Sequence, residues 1–247
     1  MPRKMLILGA TSAIAAEVAD LCAARGDQLY LIGRSPDKMR ALLDRLGDTV
    51  VGHESCDLDE FDQAEARVHR AIETLGGLDA ALIAHGYLGD QLRSENDLDY
   101  ARMVIGTNYT SAVSLLMPLA NYFEAQGRGH LAAITSVAGE RGRPRNYTYG
   151  ASKAGLTAYL KGLHSRLYGT GVQVHNLKLG PVETPMSEGH PKNLLWGQKR
   201  PVAAGIVKAM ERRRHVAYLP PSWCLVMAIV RVLPEFVFQR FGFLAGR

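Results

Sequence analysis

Tyr149-Gly-Ala-Ser-Lys153 sets a phenol and an ammonium four residues apart. On a helix the two side chains share one face and reach the same ligand. Free tyrosine ionises near pH ~10, too high for easy proton transfer at neutrality, and a neighbouring cation favours the tyrosinate and pulls that value down. The pair reads as acid–base chemistry at a substrate oxygen. Taken alone, such spacing is common on exposed helix faces. Its company makes it chemical: Ser136 ends an apolar run of strand length, and Asn108 lies in a long helical stretch upstream.

A second set of residues suits a phosphate-bearing cofactor. Residues 9–15 read Gly-Ala-Thr-Ser-Ala-Ile-Ala, after a first apolar run and before a first helical pattern. A small-residue turn there lets backbone N–H groups and a helix N-terminus face a pyrophosphate. Gly9, Thr11, Ser12, Ala13 and Ile14 are the expected contacts, although Ala13 and Ala15 stand where the full dinucleotide fingerprint has glycine. Gly33-Arg34-Ser35 ends the second run without the acidic residue that holds a ribose 2′-hydroxyl. Glycine leaves room for a 2′-phosphate and the Arg34 guanidinium can grip it, which favours NADP(H) over NAD; a solvated surface arginine is the alternative. Asp57-Leu58 and Ala84-His85-Gly86 end the third and fourth runs. Asp57 could accept from an adenine amino group or cap the next helix.

These residues need a scaffold that brings strand ends together. Apolar runs at 5–8, 29–32, 49–51, 80–84, 131–135 and 172–177 alternate with helical spacing at 14–25, 39–46, 62–75 and 100–126. The alternation predicts an α/β fold, a single doubly wound parallel sheet with helices on both faces. Residues 185–201 read as a polar loop before a helix at 202–212. The expected catalytic domain spans 1–222, and 223–247 form an apolar terminal segment interrupted by Arg231, Pro234, Glu235 and Arg240.

Gly9–Ala15, Asn108, Ser136, Tyr149, Lys153 and the Gly180-Pro-Val-Glu-Thr184 turn follow an order and spacing that resemble the short-chain dehydrogenase/reductase family over essentially the whole chain. The resemblance implies a Rossmann domain and a Tyr-Lys-Ser oxidoreductase acting between a carbonyl and an alcohol. It implies Tyr149 as the acid, Lys153 as holder of the nicotinamide ribose and tuner of the tyrosine, and Ser136 as hydrogen-bond donor to the carbonyl. Asn108 would order a water, while Val182 and Thr184 would hold the nicotinamide end. It also implies a homo-oligomer, dimer or tetramer, packed through the long helices. His85 and Leu179 depart from the usual small residue and proline. Stretches such as 84–90, 108–114, 138–143 and 218–223 are similar to the branch that reduces a 2-keto-pentose carried on decaprenyl phosphate. That branch implies a lipid-linked carbonyl substrate and peripheral contact at the inner face of a membrane. A rival reading is a membrane-associated protein that holds NADP without turnover; the intact Ser136, Tyr149 and Lys153 argue against it.

Composition narrows the remaining classes. A formal charge of +5 invites nucleic acid, but no DNA- or RNA-reading motif accompanies it, so none is expected as a partner. Three cysteines without CxxC spacing make a disulfide framework or metal site unexpected and point to a cytoplasmic, reducing compartment. No signal peptide pattern opens the chain and no uninterrupted apolar run is long enough to cross a bilayer. Arg141, Arg143 and Arg145 lie between Ser136 and Tyr149, where they either receive a phosphate or belong to a solvated loop. Residues 223–247 mix aromatic, aliphatic and arginine side chains, which suits core packing, a subunit interface or an anionic membrane surface.

Overall fold

Strands that are apolar at nearly every position must be covered on both faces, and three of them occupy the interior of the sheet. These are β1 (Lys4–Leu8), β2 (Gln28–Gly33) and β4 (Ala80–Ile83), and β6 (Val172–Leu179) is buried with them although half its residues are polar. The computed structural model describes residues 3–185 and 194–240. With β3 (Val50–Ser55), β5 (Gly129–Ser136) and β9 (Val216–Leu219), the strands form a seven-stranded sheet in the order β3-β2-β1-β4-β5-β6-β9. Every described pairing in it is parallel. The order reverses between β1 and β4, which opens a crevice above their C-terminal ends.

Helices α1 (Ala13–Ala23), α2 (Pro36–Leu46) and α8 (Lys199–Glu211) bury Val18, Leu42 and Ile206 against one face. Helices α3 (Ala64–Leu75), α6 (Ser111–Gln126) and α7 (Tyr147–Arg166) bury Val68, Leu119 and Leu160 against the other. Their starts are written locally. The Ser12 hydroxyl accepts from Ala15 N–H and caps α1, while Ser35 caps α2 ahead of Pro36, whose fixed φ suits a first turn.

Several sequence expectations need correction. The single helix expected over 100–126 is α5 (Leu98–Ile105) and α6, joined by a π turn at Gly106–Thr110 that carries Asn108. A π turn leaves the hydrophobic periodicity intact, so nothing in the spacing announces it. Between Leu98 and Gln126 the helical chain is apolar and long enough to cross a membrane, but Leu115, Leu116, Leu119 and Phe123 are fully buried in the core. The third strand runs to Ser55 rather than 51 because its alternate residues face solvent. Strand β9 and helix α4 (Gln91–Asn96) were not expected. The expected loop contains β8 (Gly197–Gln198), which pairs with β7 (Val182–Glu183) just ahead of it, and α8 begins at Lys199; residues 186–193 lie outside the described set.

The terminal segment folds back onto the domain as α9 (Ser222–Val232) and α10 (Glu235–Arg240). Trp223, Met227, Val230 and Phe238 form a small core with Val137, and the Trp223 indole N–H donates to Leu195 C=O at 3.0 Å. Arg141 fastens the segment. Its guanidinium donates to Val230 C=O (2.6 Å) and Leu233 C=O (2.7 Å), pairs with Glu235 (2.7 Å) and lies 4.0 Å over the Phe238 ring. Far from this end, four histidines crowd together beneath β5 and β6: His130 meets His175 at 3.0 Å, and His164 stacks on His215 at 3.8 Å.

Candidate active site

The turn after β1 is shaped by close approach. Gly9 and Ala10 both donate their N–H to Ile32 C=O at 2.8 Å, and Gly9 holds φ +82°. A Cβ on Gly9 would fall 2.5 Å from His85 N, so any side chain would collide with the loop after β4. The turn thereby presents Thr11, Ser12, Ala13 and Ile14 to a cleft of about 370 Å³. Gly33 sits beneath Thr11. Lys38, which the sequence reading passed over, also lines this end of the cleft. Its signal was available: it is the third residue of a helix capped by Ser35 at the end of β2.

From the other side of the crevice come Ala84, His85 and Gly86. The His85 proton can be placed by elimination. Leu58 C=O only accepts, so the Ser111 hydroxyl donates to it (2.7 Å) and must itself accept from His85 Nε2–H (2.8 Å). Nδ1 is then a bare, buried acceptor with no partner among the described residues. Burial pushes the imidazole down to about 3, so it stays neutral. A Cβ on Gly86 would press on Asn108 Oδ1 at 2.8 Å and approach Lys153 Nζ at 3.3 Å. Glycine there lets the loop pass between these two groups.

Ser136, at the end of β5, and Tyr149 and Lys153, one turn apart on α7, meet at the cleft floor. The Lys153 ammonium donates to Ile134 C=O at 3.1 Å and lies 5.8 Å from the centre of the Tyr149 ring. Burial lowers the lysine to about 8 and raises the phenol to about 12, against a lowering by its hydrogen bond with Ser136. This corrects the expectation that Lys153 depresses the Tyr149 pKa. At this separation, desolvation of the phenol outweighs the lysine charge, and Tyr149 is held protonated. Asn108 is 1% exposed and its amide is committed to the chain: Nδ2 donates to Tyr87 C=O (2.6 Å) and Val104 C=O (2.8 Å), and Oδ1 accepts from Tyr87 N–H (3.0 Å).

Val182 and Thr184 line the opposite wall beside Leu179 and Pro181. Other expected residues stand back from the cleft. Arg34 is exposed; burial raises the pKa of Asp59, and the Arg34 charge opposes that shift without overcoming it. The Asp57 carboxylate accepts from Asp59 N–H at 3.0 Å, and Leu58 is buried. The three loop arginines part company: Arg141 is spent on the terminal helices, Arg145 is exposed, and Arg143 lines the cleft. Among the described residues no three His, Cys, Asp or Glu side chains are grouped to hold a metal ion. A helix N-terminus behind a small-residue turn, a cation at Lys38 and an orphaned acceptor on His85 together fit a dinucleotide.

A family model described as short chain dehydrogenase matches residues 3–194. An uncharacterized oxidoreductase of Mycobacterium tuberculosis is 35% identical over 239 residues, 96% of each chain. One of Streptomyces coelicolor is 37% identical over 247 residues, covering 97% of this chain and 96% of the other. Among solved structures, a short chain dehydrogenase/reductase from Burkholderia phymatum in complex with NAD superposes with TM-score 0.81 at 20% identity over 92% of each chain. Levodione reductase superposes with TM-score 0.78 at 23% identity, covering 88% of this chain and 95% of that one.

Proposed function

The chain belongs to the short-chain dehydrogenase family, and we propose that it reduces a carbonyl to an alcohol with NADPH. The observation that carries this reading is the half-buried Tyr149, hydrogen-bonded to Ser136 and held protonated beside Lys153 at the floor of the cleft. A protonated phenol is the form that donates a proton to a carbonyl oxygen. The nicotinamide cofactor supplies the hydride. Ser136 holds the carbonyl oxygen and the charge that develops on it, Tyr149 delivers the proton to that oxygen, and Lys153 anchors the ribose and compensates the charge left on Tyr149. Val182 and Thr184 position the nicotinamide end, while Asn108 fixes the loop at Tyr87 that borders Lys153. Following NADPH absorbance against a panel of ketoses, keto-lipids and prenyl-phosphate keto-sugars tests the assignment. A protein that binds NADPH but oxidises none of it would be the non-catalytic binder instead.

Preference for NADPH rests on Arg34, on Lys38 and on the missing acid at the end of β2. NADPH is expected to bind at least ten-fold tighter than NADH, as one charge-assisted contact of ~1.5 to 3 kcal/mol provides. The Arg34→Ala, Lys38→Ala double variant should erase that gap and leave NADH affinity within two-fold. Fluorescence titration of both cofactors measures it, and equal affinities in the unmutated protein would refute the preference.

The substrate proposed is a keto-sugar carried on a polyprenyl phosphate, taken from a membrane surface. Helices α9 and α10 support this by dividing their apolar side chains between two faces. Leu225, Ile229, Val232 and Phe236 are 53–78% exposed on the outer one, and Arg231 and Arg240 lie on the same two helices. Such a face suits an anionic interface. Deleting the segment would uncover the core around Trp223, so the sharper variant changes Leu225, Ile229, Val232 and Phe236 to Ser. Each buried apolar side chain is worth about 1.5 kcal/mol or more, so four should cost well over 100-fold in vesicle affinity. Thermal midpoint and NADPH affinity should hold. A wild-type protein that ignores phosphatidylglycerol vesicles would remove this support. Exposed Leu98, Met103, Ile105 and Met117 on α5 and α6 support a homo-oligomer packed through those helices.

A further inference from the structure

Arg143 is a cation without a counter-charge. It lines the cleft beside Asn146 and Tyr149, its Nε is buried and has no hydrogen-bond partner, and no carboxylate among the described residues pairs with it. The nearby acids are already engaged. Glu140 accepts from Lys178 and Tyr218 and faces Arg231 at 3.7 Å, while Glu235 is taken by Arg141. The rest of the guanidinium is only half-buried, but the Nε–H is shut off from solvent, and leaving it dry is costly unless an acceptor arrives. Burial lowers the Arg143 pKa, in keeping with this exposure to dehydration without compensation.

Its position in the chain fixes which end of the cleft it serves. Arg143 lies in the loop between Ser136 and Tyr149, and its C=O accepts from Asn146 N–H at 3.1 Å immediately before α7. The Asn146 side chain makes no capping bond. The start of a 20-residue helix adds partial positive charge to the same wall. The small-residue turn and Lys38, where a dinucleotide fits, stand at the other end.

We propose that Arg143 receives an anionic group of the substrate, a phosphate or a carboxylate held near the carbonyl that Tyr149 and Ser136 address. This rests on the reductase reading for the word substrate, but the anion site itself is testable without turnover. Arg143 accordingly sets specificity: anionic carbonyl compounds are selected over neutral ones of the same shape. A planar fork favours bidentate contact, so lysine in its place keeps the charge and loses the fit.

The test titrates methyl phosphate, decyl phosphate and acetate into the protein by calorimetry, with saturating NADPH to occupy the cofactor's own phosphate contacts, and again without it. At least one anion should bind saturably, weaken at least ten-fold in Arg143→Met and less in Arg143→Lys, with thermal midpoints unchanged. Methyl phosphate above acetate identifies a phosphate; a further ten-fold gain for decyl phosphate identifies a lipid carrier, and acetate above both identifies a carboxylate. Anion binding that is absent from the unmutated protein, or equal in Arg143→Met, overturns the proposal. NADPH oxidation is scored separately: Arg143-dependent binding without turnover removes the reductase and keeps the anion site, and turnover without Arg143-dependent binding does the reverse.

Discussion

Replacing Tyr149 with Phe is expected to lower turnover by about 10³-fold while leaving NADPH affinity within two-fold. The substitution removes one oxygen from a ring that is otherwise retained, so the cleft keeps its shape and only the proton donor is lost. General acid catalysis by a positioned side chain is worth about 10² to 10⁴ in rate. Lys153→Met should behave differently, weakening the cofactor and slowing the chemistry together, because Lys153 is bound to reach both the ribose and the charge forming on Tyr149. Their pH profiles separate the roles. With Tyr149 pushed up to about 12 and Lys153 down to about 8, the lysine is the group that loses its proton first as pH rises. The kcat/KM for NADPH reports ionisations of the free protein, and it should stay level below pH 7 and fall above about 8. Stopped-flow and steady-state rates of the two variants decide the matter. A Tyr149→Phe protein within ten-fold of normal turnover would require another acid.

Most of the sheet was legible because a strand buried on both faces has to be written in apolar residues. Residues 5–8, 29–32 and 80–84 are such strings, each in or bordering an interior strand, while 172–177 carries Gln173, His175 and Asn176 among its apolar residues. Strand β9 escaped because only alternate residues of Val216–Leu219 are buried, at the sheet edge and directly before Pro220. The cleft was legible where local geometry demands a residue type. Gly9 must accept a positive φ beside His85, and Tyr149 and Lys153 keep helical spacing on α7. It was illegible where distant contacts decide. Nothing in the run Arg141-Gly-Arg-Pro-Arg145 tells which arginine clamps the terminal helices and which faces the cleft. Likewise, a charge-based rule predicts a lowered tyrosine, whereas the folded environment raises it, because burial is a tertiary property.

Acid should begin to destabilise this protein above the range where most carboxylates titrate. His175 is fully buried on β6, and its Nδ1–H donates to Arg214 C=O at 2.7 Å. Its Nε2 must then accept the Nδ1–H of His130 at 3.0 Å, an arrangement that requires a free lone pair on His175 Nε2. A proton on that nitrogen breaks the link. The surroundings also resist the charge: Arg3 and Arg213 face His130, and His164 and His215 face His175, opposed by Asp79 at His130 and by the hydrogen bond to Arg214 C=O at His175. Burial and these neighbours push both imidazoles from 6.5 to about 4. Because the folded value lies below the unfolded one, the unfolded chain binds the extra proton between these limits. Stability is therefore complete above pH 6.5 and is lost as pH falls toward about 4. His175 alone accounts for about 3 kcal/mol over that window, roughly 10²-fold in the folding equilibrium, and its coupling to His130 makes the pair titrate as a unit. Glu54 and Asp97, whose pKa values are lowered by arginine partners and backbone N–H groups, add their own losses only below the ordinary carboxylate range. Urea unfolding followed by circular dichroism at pH 7.5, 6.5, 5.5 and 4.5 reads the effect. His175→Gln should start less stable at pH 7.5 yet fall more gently on acidification, because one of the two titrating rings is gone. A wild-type curve that is level from pH 7.5 to 5, or a variant equally steep, would show that the paired histidines carry no such penalty.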